Sequence, residues 1–423
     1  MAKNNHKVGE SLPLARTSSL ATPSSGGHPR NAPVDTPIEA PYELPEGWKW
    51  CKQNEVCRLT DGEKKTDVSY PYLEVKYLRG KKEKDFVTSG KFIKAGTKVI
   101  LVDGENSGEV FTVPEDGYMG STFKALSIQN VDEKYLQFFI QTKKDLYRNN
   151  KKGSAIPHLN KDLFFNMPFP LPPTLAEQQR IVNRIETMFE KLDQAQEKAQ
   201  SVLDSFETRK AAILHKAFTG ELTANWRKEN GISDDSWKEK RFDEIAEIKS
   251  NLVDVAEYQD FPHIAPDNIE KKTGLLLEYH TVAEDKVKSG KHRFYAGQIL
   301  YSKIRPYLSK VVVVDFDGVC SADMYPIEAK GDTRFLWYQM LSNEFLDKAS
   351  NSGSRSVLPK INQKELSIIP MRTCSLPEQQ EIVRILDSVL EKETCAKEAA
   401  QNVLEQIAML KKSILARAFR GEL

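Results

Sequence analysis

Glu177-Gln178-Gln179-Arg180-Ile181-Val182 and Glu378-Gln379-Gln380-Glu381-Ile382-Val383 are two versions of one stretch, 201 positions apart. The same shift carries Lys210-Ala211-Ala212-Ile213-Leu214 onto Lys411-Lys412-Ser413-Ile414-Leu415. It also carries Ala217-Phe218-Thr219-Gly220-Glu221-Leu222 onto Ala418-Phe419-Arg420-Gly421-Glu422-Leu423. One register held without a gap through three matches is an internal duplication.

Both copies read as long helices. Each opens on a capping-box pattern, Thr174-x-x-Glu177 and Ser375-x-x-Glu378, in which a hydroxyl and a carboxylate satisfy the first free N–H groups. Each closes on Gly followed by Glu-Leu, a helix-stop signal. The first interior steps 4,3,4,3 through Ile181, Ile185, Met188, Leu192, Ala195, Ala199, Val202 and Phe206 to Ile213. The second runs through Ile382, Leu386, Val389, Ala396, Ala400, Val403, Ile407, Leu410 and Ile414. A sustained 3.5-residue period is a coiled-coil seam, and each seam needs a partner of equal length. The other copy supplies it, and a duplicated chain with a two-fold relation pairs its helices antiparallel.

Working outward, the segments before each helix correspond more loosely. Gly47-Trp48 matches Ser236-Trp237, and Gly96-Thr97-Lys98-Val99-Ile100 matches Gly297-Gln298-Ile299-Leu300. Ile156-Pro157-His158-Leu159-Asn160 matches Leu358-Pro359-Lys360-Ile361-Asn362. Short alternating runs between these anchors predict mixed α/β modules rich in strand, with Trp48 and Trp237 in their cores. The expected fold class is α+β: two such modules separated by two long helices in an antiparallel coiled coil, related by a pseudo-two-fold repeat. The expected divisions are a disordered arm over 1–41, a module over 42–173, a helix over 174–222, a module over 223–374 and a helix over 375–423. The arm is rich in Ser, Pro, Gly and Ala and cannot bury a core of its own.

At 423 residues the chain has room for two or three domains. Lys+Arg number 61 and Asp+Glu 60, a net charge of +1, so any nucleic-acid contact must use local clusters of positive charge. Five cysteines without a CxxC pair indicate neither a disulfide framework nor a zinc site, and reduced thiols suit a cytoplasmic protein. No stretch approaches 18 apolar residues, so no membrane segment is expected. A phosphate loop, a GxGxxG turn and the Asn-Pro-Pro-aromatic motif of amino-methyltransferases are all missing. Asp61, Glu74 and Lys76 have the spacing of a Mg-dependent nuclease, but without strand context that signal is weak.

Several of these motifs together resemble a known family. Pro-x-x-x-Glu-Gln-x-x-Ile-Val opening the first helix, Ala-Phe-x-Gly-Glu-Leu closing each, and Leu44-Pro45-Glu46-Gly47-Trp48 opening the first module are similar to those of type I restriction-modification specificity subunits. So are Gly153-Ser154-Ala155-Ile156-Pro157-His158-Leu159 and Gly353-Ser354-Arg355-Ser356-Val357-Leu358-Pro359. The resemblance covers residues 42–423 and leaves the arm outside. It implies two target recognition domains, each reading one half of a split double-stranded DNA sequence, and an asymmetric target where the modules differ. It implies that the helices act as a spacer and dock two methyltransferase subunits, which a restriction motor-nuclease subunit joins. It places no catalytic residue, metal or cofactor on this chain; S-adenosylmethionine, ATP and Mg belong to the partner subunits. The rival readings are a coiled-coil scaffold that never touches DNA and a stand-alone Mg-dependent endonuclease.

Basic and aromatic clusters are the candidate DNA contacts. In the first module they are Lys76, Tyr77, Arg79, Lys151, Lys152, Ser154 and His158; in the second, Lys291, Arg293, Lys303, Arg305, Tyr307, Ser354, Arg355 and Lys360. Lysines suit phosphates, while Arg, Asn and Gln suit base edges. The register-matched segments 102–108 and 303–309 differ most. The first, with Glu105, Asn106 and Ser107, is acidic and Gly-rich; the second is basic and Pro-stiffened. Asn106 suits an adenine edge, Glu105 a cytosine amine and Arg305 a guanine. The alternative for both is a plain hairpin turn.

Overall fold

The structure, a computed structural model, describes residues 39–153, 157–351 and 359–423. The arm before residue 39, and with it Ser154, Ser354 and Arg355, lie outside the described residues. The chain divides into two compact units, Met1–Glu177 and Gln178–Leu423.

Each unit holds a mixed domain, and the two share a scaffold. In the first, a four-stranded sheet runs Cys57–Thr60, Phe123–Ile128, Lys98–Leu101, Val110–Thr112 in spatial order. In the second, Ala246–Ile248, Met324–Ala329, Ile299–Ser302 and Val311–Val313 repeat that order. A two-stranded ribbon closes each domain at its ends: Lys49–Lys52 pairs Pro168–Leu171, and Lys238–Arg241 pairs Pro370–Thr373.

The second sheet is where the domains part. In the first, Glu63–Leu73 is one long strand that bonds both Phe86–Ile93 and Gly117–Met119, closing a small barrel. A register shift between Thr66 and Tyr70 lets it turn, with Asp67 at φ 67°. In the second domain the matching chain is broken into Leu252–Val253 and Pro262–Ile264, and the strand His280–Thr281 is added. The result is an open five-stranded sheet.

The long helices span Leu175–Thr219 and Leu376–Phe419, each about 65 Å at 1.5 Å per residue. They run antiparallel: Arg180 reaches the Leu423 carbonyl, Lys411 bonds Asp193, Lys397 lies over the Phe206 ring, and Arg209 meets Glu393. As one index rises the other falls. Both helices stop on left-handed glycines, Gly220 at φ 84° and Gly421 at φ 74°. The N–H groups of Leu222 and Glu422 then return to the Lys216 and Arg417 carbonyls.

The central helix follows the expected seam. Ile181, Ile185 and Phe206 are buried, and Met188, Leu192, Val202 and Ile213 are half-buried. The C-terminal helix follows it only in part. Ile382, Leu386 and Ile407 are buried and Val389 and Ile414 half-buried, but Val403 and Leu410 are 39% and 50% exposed. The facing positions there are Glu393, Lys397, Ala400, Leu404 and Lys411. Long Lys stems cover apolar surface while their heads find an aspartate or a ring, so polar residues hold seam positions and the apolar pair turns outward.

Ser375 also departs from expectation: its hydroxyl makes no cap bond. The Glu378 carboxylate is used elsewhere. It is fully buried and accepts from Thr223 Oγ1 (2.7 Å), Arg227 Nη1 (2.7 Å) and Trp237 Nε1 (2.9 Å). Trp237 is therefore half-buried at the rim of a core, not at its centre, and Trp48 is likewise half-buried. That core takes in Leu214, Phe218, Ile382 and Leu386 with Phe242, Tyr301 and Phe335, so the helix ends are built into the second domain. At Thr174 the hydroxyl does cap, accepting the Glu177 N–H at 3.2 Å.

Candidate nucleic-acid interface

In both domains the loop after the third strand of the shared sheet is stitched to the segment that precedes the long helix. Gly104 N–H donates to the Pro157 carbonyl and Leu159 N–H to the Val102 carbonyl. Arg305 N–H donates to the Pro359 carbonyl and Ile361 N–H to the Lys303 carbonyl. Bridges Asp103–His158 and Ile304–Lys360 complete the match. The backbone conformation matches too. Gly104 and Gly108 have φ 102° and 95°; Arg305 and Ser309, at the same register, have φ 49° and 46°. The first domain meets this demand with glycine. The second holds two L-residues in the left-handed region, at about 1–2 kcal/mol each.

The chemistry on this common backbone is opposite. In the first domain the cations are matched by acids. Lys151 Nζ bonds Glu105 at 2.8 Å and holds that carboxyl below the usual carboxylate range. His158 Nδ1 lies 2.7 Å from Asp103, Lys152 bonds Asp162, Arg79 bonds Glu109, and the Tyr77 hydroxyl donates to Glu115. Asn106 is half-buried and Lys76 exposed. Ser107 is a correction: it is fully buried, its hydroxyl donating to the Gly104 carbonyl at 2.6 Å, so it shapes the loop and presents nothing.

In the second domain Arg305 is exposed, and its guanidinium finds no partner among the described residues. Tyr307 beside it is 47% exposed. Lys303 Nζ donates to the Ala322 carbonyl at 2.6 Å and Lys360 to Asp323 at 3.2 Å. Lys291 is a second correction: it is buried, with its ammonium on Ser289, and burial lowers its pKa. Its neighbour Arg293 is held among aromatic rings, 5.3 Å from Tyr258, 5.9 Å from Phe261 and 4.8 Å from Tyr295. The cage is hidden in the sequence because two of its rings, Tyr258 and Phe261, lie more than 30 residues before Arg293; the exposed Tyr295 next but one to Arg293 was the available signal.

The nuclease spacing does not converge. Asp61 is taken by Lys91 and Lys124, which hold its carboxyl down at about 2, and Glu74 by Lys82. Among the described residues no three His, Cys, Asp or Glu side chains gather where a metal ion would sit, and no helix is long and apolar enough to cross a membrane.

A family model described as type I restriction modification DNA specificity domain matches the chain twice, over residues 45–203 and 234–406. The chain is 35% identical over 408 residues to the EcoDI type I restriction enzyme specificity subunit of Escherichia coli, covering 90% of each. It is 24% identical to the MjaVIII specificity subunit of Methanocaldococcus jannaschii, covering 87% of this chain and 92% of that one. Two solved structures share the fold. One, from work on complex assembly and conformational transition of the type I R-M system, gives a TM-score of 0.70 at 18% identity over 90% of this chain and 100% of that one. The other, the HsdS subunit from Thermoanaerobacter tengcongensis, gives 0.58 at 18% identity over 91% and 100%.

Proposed function

Because the chain belongs to the type I restriction-modification specificity subunits, non-catalytic DNA-recognition components whose catalytic activities lie on separate subunits, we propose that it reads an asymmetric, two-part DNA target. One half is read by each domain, through loops 103–108 and 303–309 and the surfaces beside them. The observation that carries this reading is the shared backbone with opposite chemistry: one stitched loop, presented twice, acidic with Gly104 in one domain and basic with Arg305 in the other. A uniform phosphate clamp would repeat its cations; two different half-sites require two different surfaces.

Within this reading Arg305 takes a guanine edge and Asn106 an adenine edge. Lys76, Lys303 and Lys360 serve phosphates. The two long helices set the gap between half-sites, which face the same side of B-DNA at about 34 Å per turn. They also dock two modification subunits, which bring S-adenosylmethionine, and restriction subunits that use ATP and Mg.

The test is methylation mapping in cells that express this chain with its modification subunit. The expected result is a methylated, split, asymmetric motif that vanishes when the chain is deleted. An assembled complex that methylates no motif, or a symmetric one, overturns the reading.

A further inference from the structure

Lys210 and Lys411 occupy the same place in the repeat, yet they do different work. Lys411 joins helix to helix, bonding Asp193 and, at 3.2 Å, Gln196. Lys210 leaves the seam and donates at 2.9 Å to the backbone carbonyl of Lys272, at the tip of a hairpin in the second domain. The N–H of that same residue is shared between the Leu308 and Ser309 carbonyls, both at 3.2 Å. The peptide units on either side of Lys272 thus join the central helix to the stitched loop that carries Arg305.

The hairpin is stiff. Ile269 bridges Leu276, and Glu270 N–H donates to the Leu275 carbonyl. Lys272 and Gly274 are left-handed, φ 64° and 80°. A Cβ on Gly274 would lie 2.3 Å from Trp337 Cζ2, so the tip is pressed flat on that ring. Lys310 ties its other leg through the Pro266 carbonyl at 2.7 Å. Packing does not fill the rest of the junction: Lys210 lines a cleft of 380 Å³ with Phe206, Thr273, Trp337 and Leu390. Burial lowers the Lys210 pKa, the cost of drawing an ammonium into that junction.

We propose that Lys210 is a positioning residue: a strut from the spacer helix, through the Lys272 turn, that sets where loop 305–309 meets the second half-site and so fixes the spacing this chain accepts. This rests on the two-part reading above. The strut touches no base; it acts through Arg305 and its neighbours.

Wild-type, Lys210→Met, Lys210→Arg and Lys411→Met chains are assembled with the modification subunit. Methyl transfer is measured on duplexes carrying the mapped half-sites at the native spacing and at one base pair more and one less. Wild type should favour the native spacing. Lys210→Met should erode that preference about 10-fold, short of the roughly 10²-fold that a full 1 Å misplacement can cost at a reacting geometry. Lys210→Arg, which keeps a cation of similar reach, should restore it, and Lys411→Met should retain it.

An unchanged spacing preference in Lys210→Met overturns the proposal. So does a proportional loss at all three spacings with a lowered unfolding temperature, which marks a purely structural lysine. If wild type methylates duplexes with and without the half-sites equally, the two-part reading has failed before any variant is considered.

Discussion

Loops 103–108 and 303–309 are one piece of backbone carrying two chemistries. Their stitches to the segment before the long helix agree bond for bond, and their positive φ angles fall at the same two places. Glycine fills those places in the first domain; Arg305 and Ser309 fill them in the second at a conformational cost. The neighbouring sheets diverge further, a closed three-stranded barrel against an open sheet of five strands. Ion pairs invert as well. Just after the first strand of the shared sheet stands Asp61 with Lys91 and Lys124, or Lys249 with Glu247 and Glu328. Duplication preserved what positions a surface and released what the surface says.

The most severe way to break this comparison is to leave both surfaces intact and misplace them. One heptad inserted into the central helix between 181 and 213 misaligns the seam against an unchanged partner. Specific binding should fall to the non-specific level, about 10³-fold or more. Unchanged affinity for the same target would remove the helices as a ruler.

Glu378→Ala attacks the second scaffold alone. It leaves the Trp237 indole without its acceptor and strips the Arg227 guanidinium, 5% exposed, of its buried carboxylate, so that Asp234 and the Gly220 carbonyl still accept from its Nε and Nη1. Removing one partner of a buried ion pair costs about 3–5 kcal/mol, to be read from chemical denaturation. A loss under 1 kcal/mol would mean that Asp234, which also pairs with Arg227, or water replaces the missing carboxylate.

Arg305→Ala sharpens the contrast between the loops. It should cost about 1–3 kcal/mol at one base of the second half-site and leave the first half-site untouched. Equal weakening on every sequence would make Arg305 a phosphate contact. Arg305→Gly should lose the same discrimination and yet unfold no earlier than wild type, because relief of about 1 kcal/mol of left-handed strain offsets the entropy glycine adds to the unfolded chain.

Asp61→Asn should have the smallest effect, below about 1 kcal/mol for an exposed pair. Its sign follows from the depressed carboxyl. The folded value of about 2 lies below the free value of 3.8, so the contribution is full above pH 4 and lost as pH falls toward 2. Wild type and variant should therefore converge in acid unfolding; a gap that persists at pH 2 would assign the difference to packing.

The candidate site was legible where chemistry follows from local pattern. Arg305 and Tyr307 stood out as a basic, aromatic, Pro-stiffened run, and the structure leaves both exposed. Ser107, in an acidic Gly-rich loop, and Lys291, in a basic run, stood out as well and proved buried. Ser107 is consumed by the Gly104 carbonyl of its own turn; Lys291 lies in a strand buried on both faces. Whether a polar side chain faces solvent depends on neighbours distant in sequence, and composition does not report them.

The repeat, the two helices and their glycine stops, and the pairing of one copy with the other followed from the sequence alone, because periodicity and capping are local properties of a chain. Tertiary structure decided the rest. It turned Val403 and Leu410 outward and set Glu393, Lys397 and Lys411 in the seam, because charged heads found partners across the helix pair. It drew Glu378 out of a helix cap into a buried junction, because Arg227 and Trp237 arrive there from another segment. It gave Lys210 and Lys411 separate tasks. In each case the deciding free energy comes from which groups meet after folding, a quantity that no window of sequence contains.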